Sequence, residues 1–149
     1  MTELALFLHV LGAMILVGGL VTAVSAYVLG WVRQTPVAAA AFSRIGFRAL
    51  LLAALPGWIL MRVGAEWIYS EEGWADVDPA PSWLDIGAIV ADLGGLLLLV
   101  SLVLAGLGAR RLRSSGESAS TLVRVATVVS VVLLVAYVVA VWAMSAKPD

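Results

Sequence analysis

His9, Arg62, Asp85 and Asp92 are the side chains of this sequence best placed to do chemistry, because each interrupts or borders a long apolar run where a polar group is expensive. An imidazole in such a place can hydrogen-bond a neighbouring helix, ligate haem iron or a metal, or carry a proton, and all three readings of His9 stay open. Asp92 can pair with Arg62 or His9, be held protonated by desolvation, or serve a transported ion. Arg62 and Asp85, nearer the ends of their runs, can snorkel toward water and act structurally. Tyr137 falls at a similar depth and completes a candidate polar cluster. No pair of carboxylates, nucleophile with a base, or nucleotide-binding glycine loop is placed for hydrolysis or group transfer, so the expectation leans away from an enzyme. Cysteine is absent, which excludes disulfides, thiolate metal sites and thiol nucleophiles.

The elements that must position these groups follow from hydropathy. A hydrocarbon core ~30 Å thick takes roughly 20 apolar residues of helix. Four runs meet that length: Leu4–Leu29, Ile45–Ala65, Leu84–Ala109 and Leu122–Ala146. With 62% hydrophobic and 13% charged residues, nothing is left over for a water-soluble core. Unpaired backbone groups cannot face lipid, and these runs are too long for barrel strands. The expected fold is therefore all-α, a four-helix transmembrane bundle forming one domain over residues 1–149. The first run opens with Glu3 and no Lys or Arg, and it is about twice the length of a signal-peptide core, so a retained helix is expected.

Charge gives orientation. Arg33, Arg44 and Arg48 lie between or just inside the first two runs, and Arg110, Arg111, Arg113 and Arg124 lie about the junction of the last two. The connection between the second and third runs instead holds Glu66, Glu71, Glu72, Asp76 and Asp78. The positive-inside bias puts both arginine-rich connections in the cytoplasm and both termini outside, so His9, Arg62, Asp92 and Tyr137 would sit in the outer half of the bilayer. Trp58, Trp67, Tyr69, Trp74, Trp83 and Trp142 are expected at the outer boundary and Tyr27 and Trp31 at the inner one. The stretch from roughly Trp67 to Ser82, with Gly73, Pro79 and Pro81, reads as an ordered turn or short interfacial segment. Pro56 is expected to kink the second helix below Arg62, with Glu66 one turn above to pair with it.

Two further patterns concern packing. A shift of 76 residues lays Gly18, Gly19 and Leu20 on Gly94, Gly95 and Leu96, and Arg48 on Arg124, which suggests two helical hairpins related as a parallel repeat. Gly12, Gly19 and Ala23 share a face with His9 on the first helix, and Gly95 shares one with Asp85, Ala88 and Asp92 on the third. Small residues let backbones approach closely in lipid, so the first and third helices are expected to form the central contact.

The stretch Leu8-His9-Val10-Leu11-Gly12-Ala13, followed by Leu16-Val17-Gly18-Gly19-Leu20, resembles the first span of a large uncharacterised bacterial family of small four-helix integral membrane proteins. Over about fifteen residues it also resembles the first helix of CopD-type copper-resistance membrane domains and, more distantly, of HemJ-type proteins. The resemblance implies a bacterial cytoplasmic membrane protein, and in the haem-associated relatives it implies a haem-binding role for the residue matching His9. Met61 or Met144, or His9 of a second protomer, would then complete a haem b site, and His9 with those methionines would suit Cu(I). There is no second histidine and no lysine within a span, so bis-histidine ligation by one chain and a HemJ-type oxidase activity are not expected. The leading expectation is an accessory or binding protein with a polar site around His9. The alternatives are a haem- or copper-binding redox or metal-handling protein and, more weakly, a small proton-coupled transporter acting as an oligomer. The partners expected are the lipid bilayer and a second copy or larger membrane complex, not nucleic acid.

Overall fold

The computed structural model describes residues 2–33, 35–74, 81–115 and 120–146. Helix α1 covers Thr2–Arg33, α2 Pro36–Ala49, α3 Leu55–Glu72, α4 Ser82–Ser115 and α5 Thr121–Ala146. A single π-helical turn, Leu50–Ala54, joins α2 to α3, so residues 36–72 run as one continuous span. All four spans are long and apolar enough to cross a membrane, and the fold is the four-helix transmembrane bundle expected.

The second span starts nine residues earlier than its apolar run, and the reason is local. Thr35 is extended and its hydroxyl accepts the Ala38 N–H at 3.3 Å, while Pro36 occupies the first turn, where its missing N–H leaves no gap. The alanine-rich stretch behind it has the highest helix propensity available. The far end is set by Gly73, whose positive φ of 70° closes α3 by donating its N–H to the Tyr69 carbonyl. Residues 67–72, expected in the connecting turn, are therefore helical, and Asp76, Asp78 and Pro79 lie outside the described residues.

A kink is expected at Pro56; the structure shows a change of hydrogen bonding instead, a π-helical turn just before the proline. Pro56 cannot donate to a carbonyl one turn back, and its ring crowds that carbonyl, so the ladder loosens ahead of it: the Leu55 N–H reaches back five residues to Leu50.

The packing departs from expectation. The glycine face of α1 meets the second span, not α4. A Cβ on Gly12 would strike the Met61 backbone; one on Gly57 would lie 2.5 Å from the Leu16 nitrogen, and one on Gly64 2.5 Å from that of His9. Gly19 meets Ala54 in the same way. Small residues thus recur seven apart on both partners, and matched notches let two backbones touch. On α4 the glycines serve another purpose: Gly94 receives the Tyr137 ring and Gly95 the Trp58 indole. Under the shift of 76 residues Gly18 corresponds to Gly94, yet Gly18 borders open space, so the two positions have different surroundings.

The α1–second-span hairpin and the α4–α5 hairpin close on each other through α1 with α5 and through α2 with α4. Within the second hairpin, the Ser101 hydroxyl donates to the Ala126 carbonyl at 3.2 Å and lies 3.0 Å from the Ser130 hydroxyl, all buried. Backbone contact between the second span and α4 is concentrated in α2 and thins along α3. There, side chains bridge the gap.

Candidate functional site

The bridge is built from three residues a turn apart on α3. Trp58 donates its indole N–H to the Ala91 carbonyl at 2.9 Å, while its ring lies on Gly95. One turn on, Arg62 reaches Asp92 at 2.9 Å and Glu66 at 2.8 Å through the same terminal nitrogen. Glu66 follows from helical spacing alone; Asp92 requires α4 to be alongside. Of the two pairings open to Asp92, with Arg62 or with His9, the one with Arg62 is found.

Depth and exposure give this cluster its interest. Helix α4 has 34 residues, about 51 Å at ~1.5 Å per residue, against a hydrocarbon core of ~30 Å. If the surplus is shared between the ends, Asp92 lies about 5 Å inside the hydrocarbon boundary. Yet the Asp92 side chain is 62% exposed, Glu66 59% and Arg62 31%. The ion pair faces out of the bundle between α3 and α4, within the depth range where an outward-facing charge is unfavourable. Two carboxylates against one guanidinium leave the cluster with one formal negative charge.

His9 is placed differently. Its Nδ1 lies 3.0 Å from the Met61 backbone carbonyl, across the α1–α3 contact. As an N–H donor there it satisfies a carbonyl two helices share, and its other ring nitrogen is then the acceptor. The face carrying this bond is closed, since His9 and Gly64, and Gly12 and Met61, are in backbone contact. A porphyrin does not fit between α1 and α3. The Met61 side chain belongs to the apolar core, and Met144 packs with its methyl against Gly87. Among the described residues no group of three or more His, Asp or Glu side chains is placed to hold a metal ion.

The remaining candidates spread out. Asp85 is exposed in the first turn of α4, where its charge faces the positive end of the helix dipole and its N–H is bonded to Pro81. Tyr137 is buried at 3% exposure, its hydroxyl against Gly94 and without a partner among the described residues. It is a core residue. Tyr27, expected at an interface, is likewise buried, its ring filling the notch at Gly46. Trp58, expected at the outer boundary, stands 14 residues before the end of α3, about 20 Å along the helix. At the end of α3 stand Trp67, bonded to Glu71 at 2.9 Å, and Trp74, bonded to Glu72 at 2.7 Å and packed edge-on against Trp83 at 5.6 Å.

Sequence reasoning missed Trp58 as a bridging donor. The available signal was its spacing, one turn before Arg62. Comparison with known proteins adds no family assignment: no protein-family model matches the chain, and no curated protein or solved structure shows significant similarity to it.

Proposed function

We propose that this chain is an accessory integral membrane protein, not a catalyst, that binds a second membrane polypeptide through the seam between α3 and α4. The observation carrying this reading is the Arg62–Asp92 ion pair, exposed laterally inside a span. Facing lipid, such a pair is costly; covered by another helix with a polar group of its own, it becomes a specific and directional contact. The net negative cluster of Arg62, Glu66 and Asp92 favours a partner that presents a donor or cation at the same depth. On this reading the polar site centres on Arg62 and Asp92 and not on His9. The arginine-rich turns at the other end support an orientation with both termini outside the cytoplasm, in a bacterial cytoplasmic membrane. The likeness of the first helix to the uncharacterised four-span family accords with the reading.

Photo-crosslinking in membranes tests it. A crosslinker at Ile89 or Leu96, both exposed and a turn either side of Asp92, should give protein adducts, whereas one at exposed Val138 on α5 should give lipid adducts. Adducts of doubled mass identify a second copy, and other masses a different subunit. Lipid adducts alone at all three positions would remove the proposal.

A second reading has one observation in its favour. An imidazole whose Nδ1 donates to a carbonyl is held as metal-bound imidazoles are, with Nε2 left as ligand. Under this reading His9 binds copper or haem iron on its other edge, outside the α1–α3 contact. An oxidised-minus-reduced absorption spectrum with elemental analysis decides it. A Soret shift or stoichiometric copper that is lost in His9→Ala supports ligation, and a colourless, metal-free protein rejects it.

A further inference from the structure

At the end of the bundle away from the seam, four arginines converge. Arg44 and Arg48 stand one turn apart on α2, and Arg110 and Arg113 one turn apart on α4. All four line a single cleft of about 570 Å³ between these helices. Arg33, Arg111 and Arg124, equally able to mark a cytoplasmic boundary, do not line it. None of the four is in an ion pair with a described residue. The sequence has no Asp or Glu between Glu3 and Glu66, nor between Asp92 and Glu117, so no acid lies among the described residues at this end. Below the arginines the cleft is apolar, walled by Leu51, Val103 and Leu107 and reaching Leu102, eight residues or about 12 Å beneath Arg110. Phe47 lies 3.1 Å from the Cβ position of Gly106, a ring set between the two helices.

A second groove, of about 550 Å³, runs along the other side of the same helix between it and α1. Gly18 and Thr22 form its far wall, and Gly18 leaves it open. Arg48 and Leu52 line both grooves and form the ridge between them.

We propose that this end of the bundle binds one anionic phospholipid of the adjacent leaflet, its phosphate held by Arg48 with Arg44, Arg110 and Arg113, and its acyl chains lying on either side of the Leu52 ridge. Guanidinium groups match phosphate oxygens in bidentate geometry. The apolar depth of both grooves has no use for a free phosphate and suits hydrocarbon. Four guanidiniums exceed the charge of one phosphodiester, so a headgroup carrying two phosphates is preferred over one carrying a single phosphate, and a zwitterionic headgroup is disfavoured. The site is independent of the α3–α4 seam.

Native mass spectrometry of the full chain in mild detergent tests this, titrating cardiolipin, phosphatidylglycerol and phosphatidylcholine separately. One lipid per chain should be retained, in that order of affinity. Arg44→Gln with Arg110→Gln should weaken cardiolipin binding roughly thirtyfold, from the usual contribution of two arginines near an anionic headgroup. Arg111→Gln with Arg124→Gln removes the same charge outside the cleft and should leave binding unchanged. Val103→Trp, at an exposed wall position, keeps every arginine and should also abolish retention by filling the cleft. Equal loss in both arginine double variants would reduce the effect to general surface charge and overturn the proposal. So would displacement of the lipid by millimolar inorganic phosphate, which would mark a free-anion site, or retention undiminished in Val103→Trp.

Discussion

Substituting Gly57 by alanine is the sharpest probe of the α1–α3 contact. The added Cβ would lie 2.5 Å from the Leu16 nitrogen and 2.9 Å from the Gly12 oxygen, both backbone atoms that cannot rotate away. Ordinary contact begins at 3.4 Å, so the helices must part by 3.4 less 2.5, about 0.9 Å. Overpacking of this kind costs about 1–3 kcal/mol. The same displacement stretches the His9–Met61 bond from 3.0 Å toward 4 Å, beyond hydrogen-bond range, and loses a further ~0.6–1.7 kcal/mol. Against this stands the helix-propensity gain of alanine over glycine, up to ~1 kcal/mol. The net expectation is destabilisation of roughly 1–4 kcal/mol. Gly18→Ala is the internal control: its Cβ meets nothing within 4 Å, so only the propensity gain remains and the variant should be neutral or slightly more stable. Reversible unfolding by sodium dodecyl sulfate in mixed micelles, followed by circular dichroism, compares the two. Equal stability of Gly57→Ala and Gly18→Ala would refute the backbone contact and the role it gives His9.

Other perturbations read different parts of the molecule by the same titration. Arg62→Leu strands Asp92 and should cost up to ~2.5 kcal/mol, while Arg62→Leu with Asp92→Leu should recover most of that loss; a double variant no better than the single would show the pair to be uncoupled. Tyr137→Phe removes a buried hydroxyl with no partner among the described residues and should be neutral or stabilising by about 1 kcal/mol; a marked loss would reveal a bond that the hydroxyl makes. Ser101→Ala should cost about 0.6 kcal/mol, the usual worth of an interhelical hydrogen bond in a membrane, and an unchanged midpoint would remove the serine pair from the account of α4–α5 association. Because the chain lacks cysteine, Ser70→Cys and Ser114→Cys report topology: a membrane-impermeant thiol reagent applied to intact cells should label the first and not the second, and the reverse pattern would invert the proposed orientation.

The number and class of the spans were legible because hydropathy over some twenty residues is a strong signal, and the Arg62–Glu66 pair because helical spacing pointed to it, whereas depth alone left Asp92 open between Arg62 and His9. Helix partnership was not legible. Gly12 and Gly19 announce a close approach without saying to what, and the second span answers only because Gly57 and Gly64 repeat the same seven-residue interval. The glycines of α4 carry the same letter and hold the Trp58 and Tyr137 rings instead. Aromatic residues misled for a related reason: Tyr27 and Trp58 are rim residues by composition, but each faces a glycine notch on a neighbouring helix, and filling that notch outweighs an interfacial berth. The early start of the second span was written in Thr35-Pro36, a capping signal that an apolar run does not register.

The loosened turn at Leu50–Ala54 makes the second span an indexing device. Each residue of helix turns the chain by about 100°, so the one extra residue held in the π turn fixes the angle between what lies before it and what lies after. Before it, Arg44 and Arg48 face the cleft beside α4; after it, Gly57 and Gly64 seat on α1 while Arg62 points at Asp92. Losing one residue there would swing Arg62 about a quarter turn off its partner while leaving the arginine cleft in place. The two ends of the molecule are thus geared to each other through a single turn of backbone, and their separation in sequence is as constrained as any side chain in either one.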